Sequence, residues 1–176
     1  RVAPLLATTG VEDEMPDFAA LLDGFAAAVV ANDGAGLAAL FTEDGTYDDG
    51  FFGAHTGRPA IAQMLQRFHD TGSDYRWTWS EPLSDGHIAY ARWRFSYASR
   101  LPGAEGKPVL FEGISRFQFR GDLIANYAEA FDRGVALVQT GMPPDRVARV
   151  LEKAAAIQNA TPEARDHLDR FGATPA

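Results

Sequence analysis

The chain has 176 residues, 46% of them apolar, no cysteine and a formal net charge of −8, so it suits one domain with a proper core. The negative charge excludes a polyanionic partner, because phosphate recognition draws its affinity from clustered Lys and Arg. The missing cysteine excludes disulfides, thiolate catalysis and thiolate metal ligation together.

Residues 1–15 mix small, acidic and turn residues without periodicity and are expected to form a flexible N-terminal arm. From 16 onward Phe18, Leu21, Leu22, Phe25 and Val29 recur at helical spacing, with Pro16 and Asp17 in the first turn and Asn32-Asp33-Gly34 as the stop. A short second helical turn over Leu37 to Phe41 leads into an extended segment ending at Tyr47-Asp48-Asp49. The loop Gly53-Ala54-His55-Thr56-Gly57 follows, and then a helix carries Ile61, Met64, Leu65 and Phe68 on one face.

After Phe68 the period changes from 3.6 to 2. Tyr75, Trp77 and Trp79 alternate with polar residues in a first long strand; Trp93, Phe95 and Tyr97 do so in a second, and Phe111, Phe117 and Phe119 in a third; a fourth carries Leu123, Tyr127, Glu129 and Phe131 on one side. Turns at Ser84-Asp85-Gly86 and Arg120-Gly121-Asp122 separate them. Four consecutive long strands after a helical half predict an α+β fold: a cone-shaped, curved antiparallel sheet wrapped around the N-terminal helices. The bulky apolar side is the odd-numbered one throughout. Glu129 therefore points inward among aromatics, whereas Arg92, Arg94, Glu112 and Arg116 face the other way. Helical spacing resumes at Met142-Pro143-Pro144 with Val147, Val150, Leu151, Ala154 and Ile157, and a further short helix begins at Thr161-Pro162-Glu163, so residues 136–176 read as a C-terminal helical extension.

The run Phe25-Ala26-Ala27-Ala28-Val29-Val30-Ala31-Asn32-Asp33, then Leu37-Ala38-Ala39-Leu40-Phe41 and the strand ending at Asp49, resembles the nuclear transport factor 2-like superfamily, of the ketosteroid isomerase and SnoaL-like polyketide cyclase type, over residues 16–135. The resemblance implies that Asp49 stands at the isomerase's general base. It also places Phe25 where the isomerase has its oxyanion-hole tyrosine and Ser115 where it has a protonated aspartic acid, so two donors are replaced. Glu129 falls close to the second acid of the related limonene epoxide hydrolases, whose Arg-x-Asp string is replaced here by Arg92-Trp93-Arg94.

Burial of a carboxylate in an apolar cone raises its pKa towards the range useful for proton transfer. Asp49 has a competing role as a turn residue before Gly50 that bonds its own backbone. Two inward carboxylates suit one base and one acid, and Tyr47 and His55 are the expected auxiliary hydrogen-bonding or proton-transfer groups. Phe25, Trp77, Trp79, Trp93, Ser115, Phe117 and Tyr127 are the candidate substrate-binding wall. The expected activity is cofactor-independent acid/base catalysis, as an isomerase, cyclase, dehydratase or carbon–carbon lyase, on a small hydrophobic, aromatic or polycyclic substrate. The alternative is a non-catalytic ligand-binding or dimerisation module.

The histidines His55, His69, His87 and His167 are scattered without ligand spacing, so no metal or cofactor is expected. Gly34-Ala35-Gly36 follows a helix instead of a strand and lacks the phosphate-binding geometry of a dinucleotide loop. The outward polar face predicts a homodimer. With no apolar run near the roughly 20 residues of a membrane helix, and an opening stretch too short for a signal segment, a cytoplasmic protein is expected.

Overall fold

A computed structural model describes residues 17–172. The predicted arm, residues 1–15, lies outside the described residues. Asp17 accepts from the Ala19 and Ala20 amides at 3.1 and 3.2 Å and so starts helix α1, Phe18–Ala31. Asn32, left-handed at φ 56°, ends it, and Asp33 caps the short helix α2, Gly34–Ala39. The second helix thus starts and ends earlier than the spacing predicts, and Phe41 opens strand β1, Phe41–Asp49. The predicted loop around His55 is instead a short strand, β2, Gly53–Thr56, which pairs antiparallel with β1 and sets His55 opposite Tyr47. An extended partner satisfies backbone groups of β1 that a loop would leave open.

Helix α3, Arg58–Thr71, buries Ile61, Met64 and Leu65, and its Arg58 guanidinium donates to the Phe41 carbonyl at 2.9 Å. The long strands are β3, Gly72–Ser84; β4, Ile88–Ser99; β5, Pro108–Arg120; and β6, Leu123–Phe131. Together the strands form one curved sheet in the order β2-β1-β6-β5-β4-β3. The α+β class is as predicted, with one correction: β1 joins β6 in parallel, so the sheet is not antiparallel throughout. Neither strand reveals this by itself, because pairing direction depends on the connection and not on alternation.

Curvature has visible causes. In β3, Asp74 and Glu81 have φ values of 54° and 52°, at the two places where the register with β4 shifts. These are bulges, which bend the strand and sharpen its twist. A third irregularity lies between Phe41 and Thr46, where Gly45 passes so close to β6 that a Cβ would stand 2.9 Å from the Ile124 carbonyl oxygen. A fourth, between Gln118 and Phe119, makes Ile124 the buried residue at the start of β6, in place of the predicted Leu123.

The core has two regions. In the first, the fully enclosed ring of Phe25 meets Tyr47, Trp77, Trp79, Phe117 and Tyr127 at centroid distances of 5.0–6.1 Å. In the second, Tyr75, Trp93, Phe95, Val109 and Phe111 pack together with Ala136 of the segment after the sheet. The outward face carries the predicted polar residues, with Glu112 bridging Arg92 at 2.8 Å and Arg94 at 2.7 Å. Such exposed pairs add little stability.

Three helices follow the sheet. Helix α4, Arg133–Gln139, was not marked by periodicity, being only seven residues long and capped by Asp132. Helices α5, Pro144–Asn159, and α6, Pro162–Asp169, form where the spacing and the Pro residues predict helices. Among the described residues no helix is long and apolar enough to cross a membrane.

Candidate active site

The parallel seam between β1 and β6 brings the two carboxylates together. Tyr47 is level with Tyr127 and Asp48 with Ala128, so the next step along both strands sets Asp49 beside Glu129 on the inner face. Asp48 is exposed, as the alternation requires, and Asp49 is 7% exposed.

Asp49 fills the turn role that its place before Gly50 suggests. Its Oδ1 accepts the amides of Phe51 and Phe52, each at 2.7 Å, closing the turn into β2. Burial pushes its pKa up, opposed by those two amides and by the nearby His55. Glu129 is held differently. Oε1 accepts from the hydroxyls of Tyr127 at 2.7 Å and Tyr47 at 3.1 Å, while Oε2 faces the Gly50 amide at 3.4 Å. Burial, reinforced by the neighbouring Asp49 charge, pushes Glu129 up to about 8. Both acids are thus pushed upward by burial, Glu129 with the Asp49 charge added and Asp49 against the pull of two amides.

The hydrogen bonds behind Glu129 have a fixed direction. Trp93 Nε1, which can only donate, bonds Ser115 Oγ at 2.8 Å, and Ser115 passes its own hydrogen to Tyr127 Oη at 2.7 Å. Tyr127 must then donate to Glu129 Oε1. With two phenols on Oε1, the acidic proton belongs on Oε2. Both phenols are buried and held well above the usual tyrosine range, so they remain donors.

These acids open onto a cleft with about 420 Å³ of empty space counted out to its mouth. Inside, the rings stand close enough to leave room for little more than water in this state. Of the anticipated residues, Tyr47, Asp49, Trp77, Trp93 and Glu129 line the cleft; Phe25, Trp79, Ser115, Phe117 and Tyr127 do not, being packed in the core behind it, and His55, opposite Tyr47 on β2, has an enclosed Nε2 with no partner among the described residues. Phe51, Phe68, Phe95, Phe111 and Phe131 also line it, unforeseen as wall residues. Phe131, two residues past Glu129, shares its inward register, which is the signal that marks it. Phe51 belongs to the turn that Asp49 closes, and at 37% exposure it forms part of the lip. Among the described residues, no three His, Asp or Glu side chains gather as a metal ion would require.

The family model of the SnoaL-like domain matches residues 22–127, from α1 to the tyrosine above Glu129. The chain belongs to the SnoaL-like domain family. No curated protein matches it. Among solved structures, this SnoaL-like chain is similar to a protein of ketosteroid isomerase-like fold from Catenulispora acidiphila, solved with trimethylamine, at 24% identity and a TM-score of 0.65, covering 71% of this chain and 95% of that one. A provisionally assigned polyketide cyclase from Xanthomonas campestris shares 22% identity with a TM-score of 0.59, over 69% and 95% of the two chains. An epoxide hydrolase of the limonene epoxide hydrolase-like type from M. tuberculosis shares 17% identity with a TM-score of 0.55, over 68% and 85%. At these identities the likeness concerns the fold, which is the one the sequence resemblance implies.

Proposed function

We propose that the protein is a cofactor-independent acid/base enzyme, an isomerase, cyclase, dehydratase or carbon–carbon lyase, acting on a small hydrophobic carbonyl compound. The observation that carries this reading is the pairing of Asp49 with a Glu129 pushed up to about 8 at the floor of an aromatic cleft. In the proposed reaction Asp49 Oδ2, the oxygen not engaged by the turn, takes a proton from the carbon next to the carbonyl. Glu129 Oε2 supplies the compensating proton to the oxygen or leaving group on which charge builds. Tyr47 and Tyr127 keep Glu129 oriented, and the aromatic wall excludes water. His55 holds Asp49 towards its ionised form. The family membership and the cyclase and epoxide hydrolase assigned to neighbouring structures support an enzyme of this general kind.

The test is hydrogen–deuterium exchange at the carbon next to the carbonyl, followed by NMR in D2O across a panel of cyclic enones and aryl ketones. Catalysed exchange that disappears in Asp49→Asn is expected. Exchange at full rate in that variant overturns the reading.

A second reading, a ligand-binding module without chemistry, is favoured by one observation: the turn already occupies Asp49 Oδ1. Titrating both carboxyls by carbon-13 NMR separates the two, since ordinary values near 4 for both carboxyls would favour binding alone. The proposed partner is a second copy of the chain against the outward sheet face, where Tyr90, Leu110 and Ile114 are exposed beside the Arg92–Glu112–Arg94 cluster. A cytoplasmic site of action is proposed on the same footing as before, from the sequence.

A further inference from the structure

Of the polar groups lining the cleft, nearly all are spoken for. Tyr47 donates to Glu129, Trp93 donates to Ser115, and Asp49 Oδ1 and Glu129 Oε1 each accept two hydrogens. Trp77 is the exception. Its ring lines the cleft, its Nε1 is buried, and among the described residues that nitrogen has no hydrogen-bond partner. A buried indole N–H left unpaired costs free energy, and such groups in a folded protein call for a physical explanation. Trp79 Nε1 is also without a partner among the described residues, but Trp79 is packed against Phe25 and Phe117 and does not line the cleft.

Position adds to this. Trp77 comes from β3, at the opposite end of the sheet from β1, and curvature alone carries it over to the same cleft as the two acids. The carboxyls supply one base and one acid, and Trp77 adds from β3 a donor that gives up no proton. We infer that Trp77 Nε1–H is the docking donor for the ligand, donating a hydrogen bond to a carbonyl or enolate oxygen, and that it selects ligands carrying such an acceptor over hydrocarbons of the same shape. The inference deepens the acid/base reading and rests on it for the choice of carbonyl chemistry. It concerns binding, whereas that reading concerns proton transfer.

The ring of Trp77 must stay for packing, since it touches Phe25, Trp93 and Phe95 at centroid distances of 5.6, 5.5 and 5.0 Å. Trp77→Phe therefore keeps an aromatic ring while deleting the donor. The experiment uses the whole chain labelled with nitrogen-15 at tryptophan, 1-tetralone as the probe, and tetralin as its hydrocarbon counterpart. The three indole signals are assigned by single Trp→Phe variants. Tetralone is expected to move the Trp77 indole proton downfield, with smaller changes at Trp79 and Trp93, and tetralin is expected to leave it in place. Trp77→Phe is expected to weaken tetralone about fivefold and tetralin hardly at all, in line with one neutral hydrogen bond.

An unmoved Trp77 signal with tetralone bound overturns the inference, as does an equal loss for both ligands in Trp77→Phe, or failure of tetralone to bind. The two readings fail separately. If Trp77 responds while Asp49→Asn still exchanges the tetralone protons, the donor stands and the acid/base reading falls; if exchange needs Asp49 and Trp77 is silent, the reverse holds.

Discussion

Asp49 and Glu129 share one environment and differ in what satisfies them, and that difference sets two testable consequences. Backbone amides hold Asp49, which favours its charge; phenols hold Glu129, and burial with the adjacent Asp49 charge overrides them. For a positioned general base, Asp49→Asn is expected to lower the exchange rate by about 10² to 10⁴ with little change in ligand affinity. For Glu129 the folded pKa, about 8, lies above its ordinary 4.5, so the folded state binds the proton more tightly. The stability this contributes is complete below pH 4.5 and is lost as pH rises through 8, at up to about 1.4 kcal/mol per pH unit. Asp49, also raised, acts with the same sign. Glu112, Asp44 and Asp85 are lowered, so their effects fall at more acid pH. Denaturant titrations between pH 5 and 8 should show wild-type stability falling with pH and Glu129→Gln giving a flatter profile. A steeper decline in the variant would contradict this assignment of the slope.

Among the elements, the strands with alternating aromatics were legible from period alone, and Glu129 stood out because one carboxylate interrupts an apolar face. The parallel β1–β6 join was not legible, since residues far apart in sequence decide it. Nor could alternation separate wall from core: Trp77 and Trp79 share a register with no bulge between them, yet only Trp77 reaches the cleft. Helix α4 escaped because seven residues carry too little period. One element-level dependence is open to test. Gly113 on β5 lies opposite Trp93, where a Cβ would stand 2.4 Å from the indole ring and 2.8 Å from the Ala130 carbonyl. Gly113→Ala should cost about 1–3 kcal/mol in thermal or denaturant unfolding. It should also disturb the Trp93–Ser115 bond, seen as a shifted Trp93 indole signal. Unchanged stability and spectrum would mean the strand yields more easily than its neighbours allow.

The whole molecule divides into a cone with its own core and a tail that leans on it lightly. Helix α5 buries only Val147, and Ile157 and Phe171 are 64% and 69% exposed. Helix α4 is the attached part: Gln139 bonds both the amide and the carbonyl of Leu110, at 2.8 and 2.7 Å. A chain ended after Gly141 should still unfold in one cooperative step, with a Tm lowered by no more than about 5 °C. Loss of cooperativity would show that the tail completes the core. For the proposed dimer, sedimentation velocity should report two subunits, and Ile114→Asp should release monomers that keep the fold. A wild-type monomer at high concentration would remove the partner.

The seam between β1 and β6 also has a temporal meaning. Tyr47 and Glu129 are 82 positions apart along the polypeptide, and the last strand to be synthesised delivers the acid. No fragment or half-assembled intermediate owns the couple; only closure of the final ladder brings its two members within reach. During refolding, recovered turnover should therefore lag behind fluorescence of the tryptophans on β3 and β4, because contacts so distant in sequence form late.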